Sequence, residues 1–123
     1  LTSVNNLAFL LQGQGDYAAA APLYRRALGA RERVLGPDHP DTLSSVNNLA
    51  LLLHAQGDYA AAAPLYHRAL GARERVLGPE HPDTLTSVNN LAECMRALGD
   101  AAGALPLCQR AFDSRERGLG QEH

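Results

Sequence analysis

The sequence predicts an all-α protein made of three antiparallel helix pairs, on three observations. The chain repeats itself with a period of 42 residues: 1–42 and 43–84 differ only at Thr2/Ser44, Phe9/Leu51, Gln12/His54, Gly13/Ala55, Arg25/His67 and Asp38/Glu80, and 85–123 is a third, more divergent copy. A period of that length holds two helices and a connection. Within each copy the apolar residues keep helical spacing: Val46, Leu49, Ala50 and Leu53 stand at i, i+3, i+4 and i+7, one stripe at about 100° per residue. Composition agrees, since 46% of residues are hydrophobic but only 5% aromatic, a balance that suits many small contacts along an array better than one large core.

Each element follows from local chemistry. In the first copy Val4, Leu7, Ala8 and Leu11 face inward, and Gly15 stops the helix because it can adopt a left-handed cap without strain. Asp16 then caps the next helix, its carboxylate accepting from free N–H groups and favouring the positive end of the helix dipole. Tyr17, Ala20, Leu23, Tyr24, Ala27 and Leu28 form the apolar face of this second helix, which must run antiparallel to the first because the connection is so short. Ala18 to Ala21 let the pair approach closely. Pro22 and Gly29 fall inside the second helix and recur as Pro64 and Gly71; they predict a built-in bend and a close helix contact. Gly36 and Pro37 end the helix, and Pro40 with Asp41 opens the next one. The Arg-Glu-Arg triplets, such as 31–33, read as solvated helix ends with cations near the C-terminus.

The third copy departs from this pattern. Where the second has Tyr59, Tyr66 and Leu70, the third has Ala101, Cys108 and Phe112, and Gly103 enters a stretch that is otherwise alanine. Looser packing is expected there, with Phe112 recovering some volume and the last helix ending at Gly118 and Gly120. The first residue is not Met, and Leu1 corresponds to Leu43, so the chain is expected to be cut from a longer array. The units read as one domain, 1–123, with repeats 1–42, 43–84 and 85–123.

Charge and motif searches exclude several function classes. Net charge is −2, and the basic residues are arginines dispersed beside acidic neighbours, not a nucleic-acid stripe or a polybasic membrane patch. No apolar run approaches the roughly 20 residues a membrane span needs, and no signal pattern opens the chain. The expected compartment is the cytoplasm, with Cys94 and Cys108 as buried reduced thiols rather than a metal or redox pair. His39 and His81 lie one repeat apart in connecting loops without a companion ligand, so helix-start chemistry is expected rather than zinc binding. His54 has no oriented acid and nucleophile beside it. No phosphate-cradling GxxxxGK[ST] occurs. No enzyme activity, metal or cofactor is expected.

Opposite the core stripe, the first helix of each copy carries a second arc: Ser44, Asn47, Asn48, Leu51, His54 and Ala55 in the middle repeat. Four of the six differences between the first two copies fall on this arc, whereas Ala18, Ala19 and Ala21 do not vary. That pattern fits a surface that reads a partner, with the fixed asparagine pairs gripping its backbone, since each amide offers both donor and acceptor. The candidate groove is therefore Asn5, Asn6, Phe9 and Gln12 in the first repeat, Ser44, Asn47, Asn48, Leu51 and His54 in the second, and Asn89, Asn90, Glu93 and Arg96 in the third.

The pattern LAxxLxxxGxYxxAxxxYxxAL, from Leu7 to Leu28 and again from Leu49 to Leu70, resembles the tetratricopeptide repeat. The longer period, with NNLA in the first helix and RERVLGPDHPDT in the connection, is similar to the 42-residue kind in kinesin light chains and bacterial multidomain signalling ATPases. The resemblance implies a right-handed α-solenoid whose first helices line a concave groove for extended peptides, with Asn6, Asn48 and Asn90 bonding the peptide backbone. Basic residues that clamp a peptide carboxylate in some members are not reproduced: Asn5, Asn47 and Asn89 stand where one would be, and Arg96 alone adds positive charge deeper in the groove. Because the copies are nearly interchangeable, weak head-to-tail self-association through the ends is also expected.

Overall fold

The computed structural model describes residues 2–121, and the side chains of 4–118. Leu1 and His123, where the sequence reading starts the first helix and ends the array, lie outside the described residues. Among those described there are six helices and no strand: α1 (Thr2–Gly13), α2 (Tyr17–Leu35), α3 (Pro40–Ala55), α4 (Tyr59–Leu77), α5 (Pro82–Ala97) and α6 (Ala101–Gln121). Each helix packs on its neighbours in the chain, which is the layout of an α-solenoid.

A Gly-Asp dipeptide turns each pair. Gly15, Gly57 and Gly99 hold φ of 83°, 83° and 84°, a left-handed conformation that suits residues without a Cβ. Next to them Asp16, Asp58 and Asp100 perform two tasks. The backbone N–H of Asp58 closes α3 on the Leu53 carbonyl at 2.9 Å, as in a Schellman cap. Its carboxylate then accepts from Ala61 N at 3.2 Å to open α4, and the same bond recurs from Ala19 to Asp16 and from Gly103 to Asp100. One residue thus ends a helix and begins the next, and this fixes the antiparallel hairpin.

Repeats join through a second device. His39 sits at the start of α3 in extended conformation, its Nδ1 accepting from Asp41 N at 3.1 Å, and His81 does the same for Asp83 at 3.0 Å. The imidazole here acts as an N-cap, the helix-start role the sequence pointed to, with Pro40 and Pro82 following at the first helical position.

The core runs continuously from Ala8 through Tyr24, Leu49, Leu53, Tyr66 and Leu70 to Leu91. The predicted stripe Val46, Leu49, Ala50 and Leu53 is buried, and so are Leu43 and Leu52, which the stripe did not include. Those two lie on flanks covered by adjoining helices, because a middle repeat is packed on both sides. Helices α2, α4 and α6 run uninterrupted through Pro22, Pro64 and Pro106.

Four expectations are corrected. The Arg-Glu-Arg triplets are not simply solvated: Arg73 is buried and donates from Nη1 to Asp83 O at 3.2 Å and Ser87 Oγ at 2.8 Å, and Arg31 does likewise to Asp41 O and Ser45 Oγ. A long side chain on the second helix of one repeat reaches the first helix of the next, where its bonds offset lost hydration. Burial lowers the pKa of Arg73 while Asp83 beside it raises it. Cys108 is exposed while Cys94 is buried. Phe112 is 56% exposed and recovers no core volume, because the position it occupies is covered by the following repeat in the earlier copies. Nor does α6 stop at Gly118: it continues to Gln121.

Candidate partner-binding surface

The groove candidates on α1, α3 and α5 divide by environment. Asn6, Phe9, Ser44, Leu51, Asn89, Glu93 and Arg96 are exposed, whereas Asn5, Gln12, Asn47, Asn48, His54 and Asn90 are half-buried. The side chain of Thr2, on the same arc, lies outside those described. One bond ties this surface together across repeats: Asn90 Nδ2 donates to Asn47 Oδ1 at 3.1 Å. The arcs of α3 and α5 therefore adjoin, and at least this asparagine pair has a structural task between repeats. The corresponding Oδ1 of Asn5 is buried without a partner among the described residues.

The position shared by Gln12, His54 and Arg96 behaves differently in each repeat. Tyr24 donates from its hydroxyl to Gln12 Oε1 at 2.8 Å, so that amide is partly committed inside the first repeat. His54 packs edge-on against Tyr59, with ring centroids 4.8 Å apart, and more distantly against Tyr66 at 6.3 Å. Its Nδ1 is buried without a hydrogen-bond partner among the described residues. In the third repeat, where both tyrosines are gone, Arg96 swings to an ion pair with Glu93 on its own helix. The single cation of the groove is thereby neutralised by its neighbour.

Beneath this surface the Tyr66 hydroxyl is pushed up to about 12 by burial, with Cys94 adding to the effect. Burial also raises the Cys94 thiol, whose Sγ donates to Tyr59 O at 3.3 Å. A protonated, hydrogen-bonded thiol is a poor nucleophile, so Cys94 is held inert. Among the described residues no group of three or more His, Cys, Asp or Glu side chains could hold a metal ion, and no helix is long and apolar enough to cross a membrane.

Sequence reasoning missed the polar seam between repeats. Glu32 pairs with Arg68 at 2.9 Å and Glu74 with Arg110 at 3.1 Å. Asp38 faces Arg75 at 3.5 Å, and Glu80 accepts from Arg117 Nε at 3.1 Å and from Ser114 Oγ at 3.0 Å. The signal was present in the fixed Arg and Glu of successive copies, but periodicity alone cannot tell a solvated charge from one aimed at the neighbouring repeat.

Stacked helical hairpins with repeat-to-repeat bonding define a helical-repeat scaffold. The chain belongs to the tetratricopeptide repeat family, whose sequence profile matches residues 1–70 and again 42–117. It is similar to the crystal structure of BtubC (BKLC) from P. vanneervenii, with 27% identity and a TM-score of 0.87 over 97% of this chain and 48% of that one. It is also similar to Podosopora anserina repeats described as kinesin-light-chain, nearly identical and TPR-like, with 28% identity and a TM-score of 0.88 over 100% of this chain and 58% of that one. The array is thus of the kinesin-light-chain type, and it spans about half the length of these solved chains. The TPR domain of Arabidopsis FLU, at 17% identity and a TM-score of 0.81 over 94% of both chains, shares the fold. No protein among those with curated functions matches the chain. Arrays of this family mediate protein–protein interaction and are typically scaffolds rather than enzymes.

Proposed function

We propose that this array is a protein-binding scaffold of the cytoplasm that takes an extended peptide or partner segment along the arc of α1, α3 and α5. The observation that carries the reading is the Asn90–Asn47 bond at 3.1 Å, which joins the amide arcs of α3 and α5 across a repeat junction, with Leu51 exposed on α3 and Phe9 exposed at its equivalent on α1. Amides satisfy a peptide backbone whatever its sequence, and the varied positions beside them select its side chains. Phe9 and Leu51 favour apolar residues toward the first two repeats, and the paired Glu93 and Arg96 favour a neutral polar or zwitterionic stretch toward the third. Because Arg96 is paired, a terminal carboxylate finds no free cation there. The reading involves no nucleic acid, membrane, metal or catalysis.

Selection of binding peptides from a random display library, followed by fluorescence anisotropy with a labelled selected peptide, tests this. Asn48→Ala with Leu51→Ser should weaken binding about 10- to 100-fold, given that a hydrogen bond nets roughly 0.5–1.5 kcal/mol and an apolar contact about as much. Circular dichroism should stay unchanged. Unaltered affinity in the double variant would disprove the site.

A further inference from the structure

We propose that the groove at the junction of the first two repeats, on the side of α3 away from the amide arc, takes a short amphipathic helix of a partner protein, apolar along one face and carrying a carboxylate near its C-terminal end. Its lining comes entirely from α2, α3 and α4, so its shape is set inside the chain and not by what lies beyond either end. The floor is Leu28, Leu49 and Leu53. One wall is α2 between Arg25 and Glu32, and the other is α4 from Ala61 to Leu65. The walls are second helices of successive repeats and run parallel, so the trough is about 10 Å long, two turns at about 1.5 Å per residue. The Glu32–Arg68 bond at 2.9 Å bridges one end. Arg25 stands at the other, exposed and in no ion pair among the described residues.

These features select the occupant. Helical walls keep their backbone groups largely bonded within themselves, so an extended segment laid here would bury its own N–H and C=O groups without partners. A helix arrives with its backbone satisfied, and a ridge of apolar side chains at i, i+3 and i+4 matches the leucine floor. Arg25 then sets polarity: a carboxylate at i+7, the length of the trough away, pairs with it, and the negative end of the incoming helix dipole lies best beside the same cation. The incoming helix therefore runs antiparallel to α2 and α4. The next junction is a blocked counterpart. Its equivalent positions carry His67 for Arg25, Met95 for Leu53 and Gly103 for Ala61, and the Met95 methyl stands 2.8 Å from where a Cβ on Gly103 would be. There the protein's own side chain takes up space that the first junction leaves open, and the arginine is gone.

Selection from a displayed library of alanine-based helices about 16 residues long, apolar at i, i+3 and i+4, acidic at i+7 and varied elsewhere, followed by anisotropy and methyl NMR with the stapled best binder, tests this. The peptide should bind the 123-residue chain and shift the methyl signals of Leu28, Leu53 and Leu65. Leu53→Met with Ala61→Gly transplants a pair the next junction already accommodates; it should weaken binding at least about 10-fold with helical content unchanged. Arg25→Glu, at an exposed site, should weaken it about 3- to 10-fold, and a lysine in place of the peptide's acid should restore it. Asn48→Ala with Leu51→Ser should leave this binding unaltered, so failure here and failure at the amide arc read out separately. No binder, indifference to either groove variant, loss in the Asn48 and Leu51 variant, or equal binding by a proline-broken peptide would overturn the proposal. So would two other occupants: octanoate alone saturating the same methyl shifts, or a second copy of the chain, seen as self-association that Leu53→Met with Ala61→Gly removes.

Discussion

Tyr66 and Cys108 occupy the same position in consecutive repeats, yet the tyrosine is fully buried and the cysteine lies on the surface. The contrast extends to whole helices. In α4 the residues Ala62, Tyr66, Ala69, Leu70, Ala72 and Arg73 are buried, whereas in α6 Ala104 and Ser114 are the buried residues among the side chains described. What separates the two repeats is less their propensity than their neighbours: the middle one is enclosed on both sides, and stability in an array is largely a sum of such interfaces. A residue's identity therefore matters in proportion to what stands next to its repeat.

The strongest way to break this comparison is to remove the same amount of side chain from both repeats. Tyr66→Ala should cost about 3–5 kcal/mol by chemical denaturation, while Phe112→Ala should stay within about 1 kcal/mol; equal losses would refute the contrast. Hydrogen exchange should follow the same division, slowest in α3 and α4 and fastest in α6. Next in size, Arg73→Met removes the bonds to the Ser87 hydroxyl and the Asp83 carbonyl, a loss of about 2 kcal/mol, whereas Arg115→Met at the equivalent exposed position should be close to neutral.

Titration sharpens the comparison from another side. Because the Tyr66 hydroxyl ionises at about 12 in the folded chain rather than at the ordinary value of 10, its contribution to stability is complete below pH 10 and lost as pH rises toward 12. That loss amounts to roughly 2 kcal/mol. Tyr66→Phe should flatten this alkaline limb in pH-dependent unfolding, and a limb that persists unchanged would assign it elsewhere.

A smaller effect concerns the junctions themselves. Between the first two repeats Leu53 and Ala61 leave an open groove of about 410 Å³. At the next junction Met95 and Gly103 take those positions, and a Cβ at 103 would come within 2.8 Å of the Met95 methyl and 2.6 Å of Asp100 Oδ2. Gly103 is thus matched to Met95, where the sequence suggested only looser packing. Gly103→Ala alone should be close to neutral, its helix-propensity gain of about 1 kcal/mol offset by displacing the Met95 and Asp100 side-chain ends, and adding Met95→Leu should release part of that gain, a coupling that a double-mutant cycle measures.

The smallest effect is at Glu80, whose carboxyl is held below the usual carboxylate range by hydrogen bonds from Arg117 and Ser114. Its contribution is present above the ordinary carboxylate value and fades as pH falls through the lowered one. Glu80→Gln should remove that acid sensitivity from α6, as followed by NMR titration.

Much of the fold was legible because each element is specified locally. Gly15 and Asp16 mark a turn whatever lies around them, and Val46 to Leu53 mark a face. The repeat period then supplied the architecture. The candidate surface was legible only as an arc, since spacing places Asn47 and Asn48 on one side of a helix but cannot say that Asn47 bonds Asn90 in the next repeat. Arg73 and Phe112 were misread for a single physical reason. Burial at those positions depends on a helix about fourteen residues or more further along the chain, and a window of one helix does not contain it.

The polar seam has a consequence for how such a chain can change. Its bonds recur at constant separations: 14 residues for Arg31–Ser45 and Arg73–Ser87, 36 for Glu32–Arg68, and 37 for Asp38–Arg75 and Glu80–Arg117. A single residue gained or lost between 38 and 39 would put Arg31–Ser45, Glu32–Arg68 and Asp38–Arg75 out of step together, whereas a gain or loss of 42 residues leaves every one intact. The seam works as a vernier that permits the array to lengthen or shorten only by whole units.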